Sequence, residues 1–493
     1  MSAMQAFMGV LKLRVLQLCA LAALIVGVGT ECFLTKLSVL DLDVWWHLSV
    51  GDWIVQHRAF PHTGILSRTA AARPWMAYSW GFEVPLSRCY AWLGFIGVAL
   101  FGTALTIAVA AGVFWMLHQL SERFWVAWAL SIVAYSAFLF NIMPRPVFFT
   151  MMLYTVTLTL ILKAQRSGRV ELLYWLPLVF LLWANFHIQF IYGIFTVALF
   201  AGTNLLQRLA ISLRKFPDAL AAPALPLTRL FAVLAGCVVA TGLGPYSFHL
   251  YEVVFGYASS KVAYRMITEL QPLSFLGPSH FLELLLAAGA FVALGWQKKL
   301  DPFKLILLIV ASIFAFRTTR DAWFLCITAA AIIADFPAPS GKRDRRLNLP
   351  EFAGVTVVAA LFLLLIARNT DFNSRALDEA ISNQFPVDAV NFLRKYPVGG
   401  PLYNSFDWGG FLIFYMPQYP VAIDGRTDLY GDQLDALFYA TEGAEPSYAS
   451  DPYLNEAGLV ILKNSVPLAQ LLPTDRRFRV IYKDELATVL ARN

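Results

Sequence analysis

Long apolar segments separated by short polar ones recur along the chain up to residue 369. A helix crosses the hydrocarbon core of a bilayer with about 20 mainly apolar residues. Counted on that basis, the pattern predicts a polytopic α-helical membrane protein with about eleven transmembrane helices. The predicted spans are 14–35, 92–117, 124–142, 147–163, 172–186, 190–207, 229–244, 280–296, 303–316, 322–336 and 352–368.

Composition supports a membrane protein. Of 493 residues, 58% are hydrophobic and 14% are charged, and the mean hydropathy is +0.61. Soluble proteins carry roughly 25% charged residues, so an ordinary soluble enzyme is excluded.

Lysine and arginine collect in alternate loops, and such loops face the cytoplasm in most membrane proteins. These residues are Lys163, Arg166, Arg169, Arg208, Arg214, Lys215, Arg229, Lys298, Lys299, Lys304, Lys342, Arg343, Arg345 and Arg346. The N-terminus is then cytoplasmic, and an odd number of spans places the C-terminus outside. The sequence thus predicts a multi-pass protein of the cytoplasmic membrane.

The pattern changes after residue 369. Residues 370–493 contain 10 Lys+Arg and 16 Asp+Glu, so the basic charge of the chain belongs to the preceding part and does not imply nucleic-acid binding. In this tail "FPVDAVNFLRKY" and "DQLDALFYAT" predict helices, and "PLYN", "PVAIDG", "AGLVILK" and "FRVIYKDELATVLAR" predict strands. We predict a membrane part, 1–369, with a first outer loop at 36–91, and a small extracytoplasmic α/β domain at 370–493.

The stretch "DLDVWWHLSVGDWIVQHRAF" opens the first outer loop. Its apolar spacing predicts an amphipathic helix on the outer membrane surface, with Trp45, Trp46 and Trp53 as interfacial anchors. Asp41 and Asp43 stand at the membrane boundary, where a carboxylate can serve as a general base, a metal ligand or both. The alternative is that either aspartate only caps the helix.

Further polar residues lie in the outer loops. "PWMAYSWGFEVPL" sets Glu83 among aromatic residues, which suits a sugar-binding surface and equally an aromatic belt. The loop at 245–279 contains Glu269 and has the charge expected of a lid or of the second half of a site. His47 and His187 also lie on this side and are candidates for substrate binding.

Three arginines occupy predicted outer helix ends, against the positive-inside bias. Arg145, Arg317 and Arg320 together suggest a bound anion. The alternatives are contact with lipid headgroups or pairing with Asp321.

In the tail, "AIDGRTDLYG" holds Asp424, Arg426 and Asp428 at a predicted strand end, where α/β sheets often place a site. The trio is also explained by a structural ion-pair knot, which we favour.

The order of these features resembles the GT-C superfamily of membrane glycosyltransferases, and more narrowly a bacterial group described as glycosyltransferase-like or protein O-mannosyltransferase-like. The motifs that carry the resemblance are "DLDVWWHLSVGDWIV", "PWMAYSWGFEV", "WANFHIQF", "GPYSFHLYEVVFG" with "ELQPLSF", "FRTTRDAWF" and "NSFDWGGFLIFYMPQYPVAIDGRTDLYG". The resemblance implies transfer of a sugar from a polyprenyl-phosphate-linked donor to a lipid, glycan or protein acceptor outside the cytoplasm.

The resemblance also implies roles for particular residues. The superfamily's first-loop acid corresponds to Asp41 or Asp43, with Asp43 preferred as the base and both as possible ligands of a divalent cation such as Mg²⁺ or Mn²⁺. Arginines at outer helix ends would hold the donor phosphate. The chain departs from the family where it reads His187-Ile188 for His-Gly and "GPYS" for Asn-Pro-Tyr-Gly, which leaves the acceptor side less defined.

A second class of function stays open, namely a non-catalytic transporter or an envelope polysaccharide assembly factor that retains the scaffold. Transporters usually hold ionisable residues near the bilayer midplane, whereas the polar residues of this chain gather at the outer ends of the predicted spans. An enzyme resembling O-antigen ligases would share the outer arginines but lacks an acidic first-loop motif. The sequence therefore favours chemistry at the membrane interface.

Overall fold

A computed structural model of the protein describes residues 3–138, 143, 145–213, 218–223, 225–336, 347–369 and 373–493. Some residues of the orientation argument and the end of one predicted span lie outside these described residues. They are Arg214, Lys215, Lys342, Arg343, Arg345, Arg346 and 139–142.

The described residues are mainly helical. In chain order the α-helices are α1 Ala3–Thr35, α2 Leu37–Leu40, α3 Val44–His57, α4 Trp80–Leu93, α5 Phe95–Ser121, α6 Phe124–Phe138, α7 Val147–Ser167, α8 Leu176–Phe186, α9 Phe190–Ser212, α10 Leu227–Thr241, α11 Leu250–Ser259, α12 Lys261–Met266, α13 Pro278–Gly295, α14 Pro302–Arg317, α15 Ala322–Ala334, α16 Leu349–Asn369, α17 Ser374–Ser382, α18 Val387–Lys395, α19 Gly409–Tyr415, α20 Thr427–Glu442, α21 Pro452–Glu456 and α22 Pro467–Leu471.

Each apolar segment identified in the sequence coincides with a helix. Among the described residues, six helices are long and apolar enough to cross a membrane, which confirms the membrane character of the chain. They are Lys12–Cys32, Phe95–Ser121, Val147–Ser167, Phe190–Ser212, Pro278–Gly295 and Leu349–Arg368. The other apolar helices are shorter, so the total of eleven spans stays a prediction.

Close packing divides the chain into two compact units, each built from separate stretches. The first unit comprises Met1–Thr35, Gly102–Phe248 and Thr268–Asp371. The second unit comprises Lys36–Phe101, His249–Ile267 and Phe372–Asn493. The tail therefore shares its compact unit with the segment that follows the first helix. The domain division at residue 370 remains a prediction.

Charged residues of the first unit lie at both ends of the same helices. Arg166, near the C-terminal end of α7, and Lys304, near the N-terminal end of α14, both pair with Asp335, which follows α15. Arg145 and Arg320 lie close to the opposite ends of these helices. Because α7 has 21 residues, its length is about 30 Å, close to the thickness of a bilayer core. Such separation suits a helix with one charged end in each aqueous phase.

The second unit contains a four-stranded sheet of order β1–β2–β4–β3, formed by β1 Leu402–Asn404, β2 Leu459–Lys463, β3 Phe478–Lys483 and β4 Ala487–Arg492. Strand β1 is parallel to β2, and the other two pairings are antiparallel. The apolar run of β2 makes it a buried central strand, whereas β3, with its lysine and arginine residues, is an exposed edge.

The segment "PVAIDG" is not part of this sheet, so its prediction as a sheet strand was wrong. Val421 instead pairs with the segment between α3 and α4: its carbonyl accepts the N–H of Arg68 at 2.8 Å, and its own N–H donates to the carbonyl of Leu66 at 3.2 Å. The apolar segment is buried as predicted, but its hydrogen-bond partner comes from a distant part of the sequence.

The anchor role predicted for Trp45 and Trp46 was also wrong. Helix α3 forms as predicted, but Trp45 is 0% exposed and Trp46 only 6%. The ring of Trp45 lies 5.1 Å from Phe385, 5.3 Å from Phe411 and 5.5 Å from Phe95, measured between centroids. Both tryptophans are core residues because α3 packs against α4 and α19.

Candidate active site

Asp41 and Asp43 lie together at the start of α3. Asp41 is buried, and its Oδ1 accepts the backbone N–H of Asp43 at 2.9 Å. Asp43 occupies the N-cap position but its side chain caps no backbone N–H of the helix. Its Oδ1 accepts the indole N–H of Trp46 at 3.0 Å. The helix-cap alternative therefore does not account for the Asp43 carboxylate.

His47 and Glu83 form a buried pair in the same unit. Nδ1 of His47 lies 3.1 Å from Oε1 of Glu83, and the two residues are 4% and 1% exposed. Burial raises the pKa of Glu83, while the hydrogen bond and charge of His47 and the charge of Arg426 oppose that rise. Oε2 of Glu83 has no hydrogen-bond partner among the described residues. The ring of His47 also lies against Trp46, 3.5 Å between centroids, so the pair supports the tryptophan that binds Asp43.

The tail motif meets the first-loop motif within this unit. Arg426 is fully buried and donates from Nε and Nη2 to the two oxygens of Asp424, at 2.8 and 2.7 Å. Tyr430 donates to the same carboxylate at 2.6 Å. These contacts form an ion-pair knot between Asp424 and Arg426, two of the three residues predicted to form it, and the intervening Gly425 lies against Asp43.

Asp428 has different partners. Its oxygens accept the indole N–H of Trp75 at 3.1 Å and the hydroxyl of Tyr257 at 3.2 Å. The rings of Trp46 and Trp75 are in edge contact, 6.5 Å between centroids. The two tryptophans are thus in contact, and each donates its indole N–H to a different carboxylate: Trp46 to Asp43 and Trp75 to Asp428.

Burial raises the pKa of Asp428 to about 6, although Arg426, Tyr257 and Trp75 act in the opposite direction. The folded protein holds the proton of Asp428 more tightly than the unfolded chain does. The contribution of this carboxyl to the free energy of unfolding is therefore greatest at low pH. It is lost as the pH rises from about 4 to about 6. We therefore expect Asp428→Asn to flatten the decline in melting temperature over this range, measured in detergent.

Asp432→Asn, on the same helix, is the matched control. Hydrogen bonds from Ser260 and from the N–H of Lys261 lower the pKa of Asp432, so its stabilising effect is lost only at more acidic pH. In Asp432→Asn the melting temperature should therefore decline above pH 4 as steeply as in the wild type. An unchanged slope in Asp428→Asn would contradict a raised pKa at that carboxyl.

The metal role predicted for Asp41 and Asp43 stays a prediction. Among the described residues, no group of three or more His, Cys, Asp and Glu side chains is arranged to hold a metal ion. Oδ1 of Asp41 and Oδ1 of Asp43 already accept N–H groups. A cation at these two carboxylates would take most of its ligands from elsewhere.

A second cluster, in the first unit, unites three predicted residues. Arg145 donates to Oε1 of Glu269 at 2.9 Å, and Arg320 donates to Oε2 at 3.2 Å. Thr319 holds the turn of Glu269 by donating its hydroxyl to the Glu269 carbonyl at 2.8 Å. One carboxylate thus bridges two guanidinium groups, which leaves the trio with an excess positive charge.

Arg317 and His187 occupy other positions in the first unit. Arg317 is the last residue of α14 and is exposed. His187 follows α8, and its Nδ1 lies 2.8 Å from the hydroxyl of Thr150, which also accepts the indole N–H of Trp183 at 2.8 Å. Asp321 accepts the hydroxyls of Tyr192 and Thr318.

The structure adds residues that sequence reasoning missed. Trp75 and Tyr257 donate to Asp428, and Gly425 lies against Asp43, in a carboxylate cluster formed by Asp41, Asp43 and Asp428 of the second unit. Trp46 and Asp428 were named from the sequence, but as a membrane anchor and as a member of the ion-pair knot. The sequence signal for Gly425 and Asp428 was the tail motif "AIDGRTDLYG", which contains more polar residues than one ion-pair knot needs. Trp46, Trp75 and Tyr257 lie outside that motif.

Comparisons with known proteins bear on the fold. No family model matches the chain, and no curated protein matches it. The apo structure of the Archaeoglobus fulgidus oligosaccharyltransferase is similar, with a TM-score of 0.50 and 12% sequence identity over 92% of this chain and 73% of that one. That enzyme is a GT-C glycosyltransferase. This chain shares the fold of that enzyme.

Two further structures of the archaeal enzyme are similar, each at 12% identity and over 69% of its length. One is tethered to an acceptor peptide containing the NVT sequon, with a TM-score of 0.48 over 90% of this chain. The other is a complex with Zn and sulfate, with a TM-score of 0.45 over 91%. The GT-C resemblance seen in the sequence is confirmed as a likeness of fold, and the roles of individual residues stay predictions.

Proposed function

We propose that this protein is a GT-C glycosyltransferase that moves a sugar from a polyprenyl-phosphate-linked donor to a lipid, glycan or protein acceptor. The observation that supports it most is the convergence of the first-loop carboxylates with the tail motif in a chain of GT-C fold. A merely structural helix start would not need Asp43 to accept an indole N–H and to face a glycine of a rigid loop.

The proposed chemistry at the acceptor uses Asp43 as the general base. Its carboxylate takes the proton of the acceptor nucleophile as that atom bonds to the anomeric carbon of the sugar. The bond between that carbon and the phosphate oxygen breaks, and the phosphate leaves with the electron pair. Asp41 fixes the backbone of Asp43, and the indole of Trp46 fixes its side chain, which keeps the base in one orientation.

The proposed donor site is the pair of Arg145 and Arg320, held together by Glu269. Guanidinium groups bind phosphate through paired hydrogen bonds and stabilise the charge that develops on a leaving phosphate. Arg317 and His187, in the same unit, are proposed as further donor-side contacts. His47 and Glu83 are proposed to act on the acceptor side by holding Trp46 in position.

A divalent cation remains part of the proposal. Carboxylate oxygens are suitable ligands for Mg²⁺ or Mn²⁺, and Asp41 and Asp43 offer two carboxylates. We expect treatment of the purified protein with EDTA to reduce transfer and subsequent Mg²⁺ or Mn²⁺ to restore it. Full activity after thorough chelation would remove the cation from the proposal.

We further propose that the reaction takes place at the outer face of the cytoplasmic membrane. The arginines of the donor site lie at helix ends opposite those of Arg166 and Lys304, and the latter pair belongs to the predicted cytoplasmic loops. A C-terminal alkaline phosphatase fusion tests the orientation, because it is active only outside the cytoplasm. An inactive fusion that is expressed and inserted would contradict the outward assignment.

The function itself is tested with purified protein in liposomes that contain a polyprenyl-phosphate sugar labelled in the sugar. We expect the label to move from the organic phase to a hydroxylated acceptor supplied as lipid, glycan and peptide in parallel assays. Loss of the labelled donor without any acceptor product would identify hydrolysis only. An unchanged donor in all assays, together with donor movement between leaflets, would instead favour the transporter alternative.

A further inference from the structure

Gly425 approaches the proposed base more closely than any side chain could. A Cβ atom built on Gly425 would overlap Oδ1 of Asp43 and would lie 3.4 Å from the indole Nε1 of Trp46. That Oδ1 is the oxygen that accepts the indole N–H at 3.0 Å. One oxygen of the carboxylate is therefore enclosed between an indole N–H and the backbone of the tail.

The backbone around Gly425 is fixed on both sides. The neighbouring residues Asp424 and Arg426 have fully buried side chains and bind each other through two hydrogen bonds. Nη1 of Arg426 also donates to the carbonyl of Ile65 at 2.9 Å. On the opposite side, a Cβ atom on Gly409 would overlap Ile423 and Asp424, so the first residue of α19 packs directly against the loop. Movement of Gly425 away from Asp43 would break several of these contacts.

Backbone conformation does not explain why a glycine occupies position 425. The glycines with a positive φ among the described residues are Gly94, Gly168, Gly400 and Gly431, and Gly425 is not one of them. An alanine could adopt its backbone angles, so what Gly425 supplies at this position is space for the carboxylate.

We infer that the Asp424–Gly425–Arg426 loop of the tail is a positioning element for Asp43, and that Gly425 sets the orientation of the Asp43 carboxylate. The tail thereby belongs to the active centre rather than forming a separate accessory domain. The packing itself is independent of the proposed function, whereas its effect on catalysis rests on the proposed role of Asp43 as base.

The test is Gly425→Ala, with Gly399→Ala as the matched control. Gly399 lies in the same tail, is exposed and has no atom within 4 Å of a Cβ atom built on it. Because displacement of a reacting group by about 1 Å can cost 100-fold in rate, we expect Gly425→Ala to lower kcat on the order of 100-fold, with the KM values of donor and acceptor nearly unchanged. The control should retain wild-type kinetics.

A double-mutant cycle separates positioning from misfolding. Melting temperatures are measured for wild type, Gly425→Ala, Asp43→Ala and the double variant in detergent. If Asp43 is the group that alanine displaces, Gly425→Ala should lower the melting temperature in the wild-type background and much less in the Asp43→Ala background. Equal losses in both backgrounds would overturn the inference, whatever the enzyme assay shows. Coupling in stability with an unchanged kcat would support the packing and contradict Asp43 as the base.

Discussion

Asp43→Asn is expected to reduce sugar transfer by about 1,000-fold, within the range that positioned acid–base groups contribute. Asparagine retains an oxygen that can accept the indole N–H of Trp46, so the local structure should persist. It cannot take the proton of the acceptor. Asp41→Asn should have a smaller effect, because the side chain of Asp41 holds the backbone of Asp43 and an amide oxygen can do the same.

Asp52→Asn is the control on the same helix. Asp52 is half exposed and pairs with Arg88 at 2.8 Å, so an exposed ion pair is lost and little stability with it. Transfer from the labelled donor, the melting temperature and the level of protein in membranes are measured for every variant. If the double variant Asp41→Asn/Asp43→Asn fully complements a deletion strain, the catalytic role of this motif is wrong.

The same experiment distinguishes the enzyme from the transporter alternative. The polar residues of this chain gather at the outer ends of the predicted spans, which favours an enzyme over a transporter. Glu283 is an exception, since it is a carboxyl inside the apolar helix α13 and only 1% exposed. A transporter that depends on an ionisable group within a span would retain its activity in Asp43→Asn, whereas the proposed glycosyltransferase would lose it.

The helices of the apolar segments were predictable from the sequence because each apolar run is a local pattern. Apolar runs such as 147–163 and 190–207 correspond to the spans Val147–Ser167 and Phe190–Ser212, with shifts of a few residues at their ends. Strand β2 was equally clear, since "LVILK" is a short apolar run with turn residues on both sides. These elements depend on their own residues more than on distant partners.

The carboxylate cluster was less predictable because its parts lie far apart in the chain. An amphipathic helix with tryptophans on its apolar face suits a membrane interface and a protein core equally well. Whether Trp45 lies at an interface or in a core depends on its contacts with Phe385 and Phe411, whose positions a single sequence does not reveal. The ion pair of Asp424 and Arg426 was found because the two residues are neighbours, whereas Asp428 was misassigned to it because its partners, Trp75 and Tyr257, are distant.

The arginine cluster was predicted in part. Arg145 and Arg320 were recognised by their position at helix ends that are expected to lack basic residues. Their shared partner could not be identified, since Glu269 was one of several acidic residues in its loop. The bridging carboxylate changes the expectation for mutants: Arg145 and Arg320 should act together, while Arg317 should act separately.

Replacement of both Arg145 and Arg320 by alanine is expected to raise the KM for the polyprenyl-phosphate donor on the order of 100-fold, since charge-assisted contacts to a phosphate are lost. The KM for the acceptor should change little. Arg229→Ala is the matched control, because Arg229 also pairs with a glutamate of the first unit, Glu171, but is half exposed and unrelated to the proposed site. Equal weakening of donor and acceptor use in the double variant would argue against a phosphate site.

Glu269→Gln gives an independent test, because whether it lowers or raises the donor KM depends on the role of the bridging carboxylate. In the free protein, the Glu269 carboxylate occupies the anion position between the two guanidinium groups, and a donor phosphate must compete with it. Removal of the charge should then lower the donor KM by a few-fold, a modest effect because the groups are partly exposed and screened. If the arginines do not bind the donor, this substitution should leave the donor KM unchanged. A higher donor KM would show that Glu269 contributes more by holding the arginines in place than it costs by competing with the phosphate.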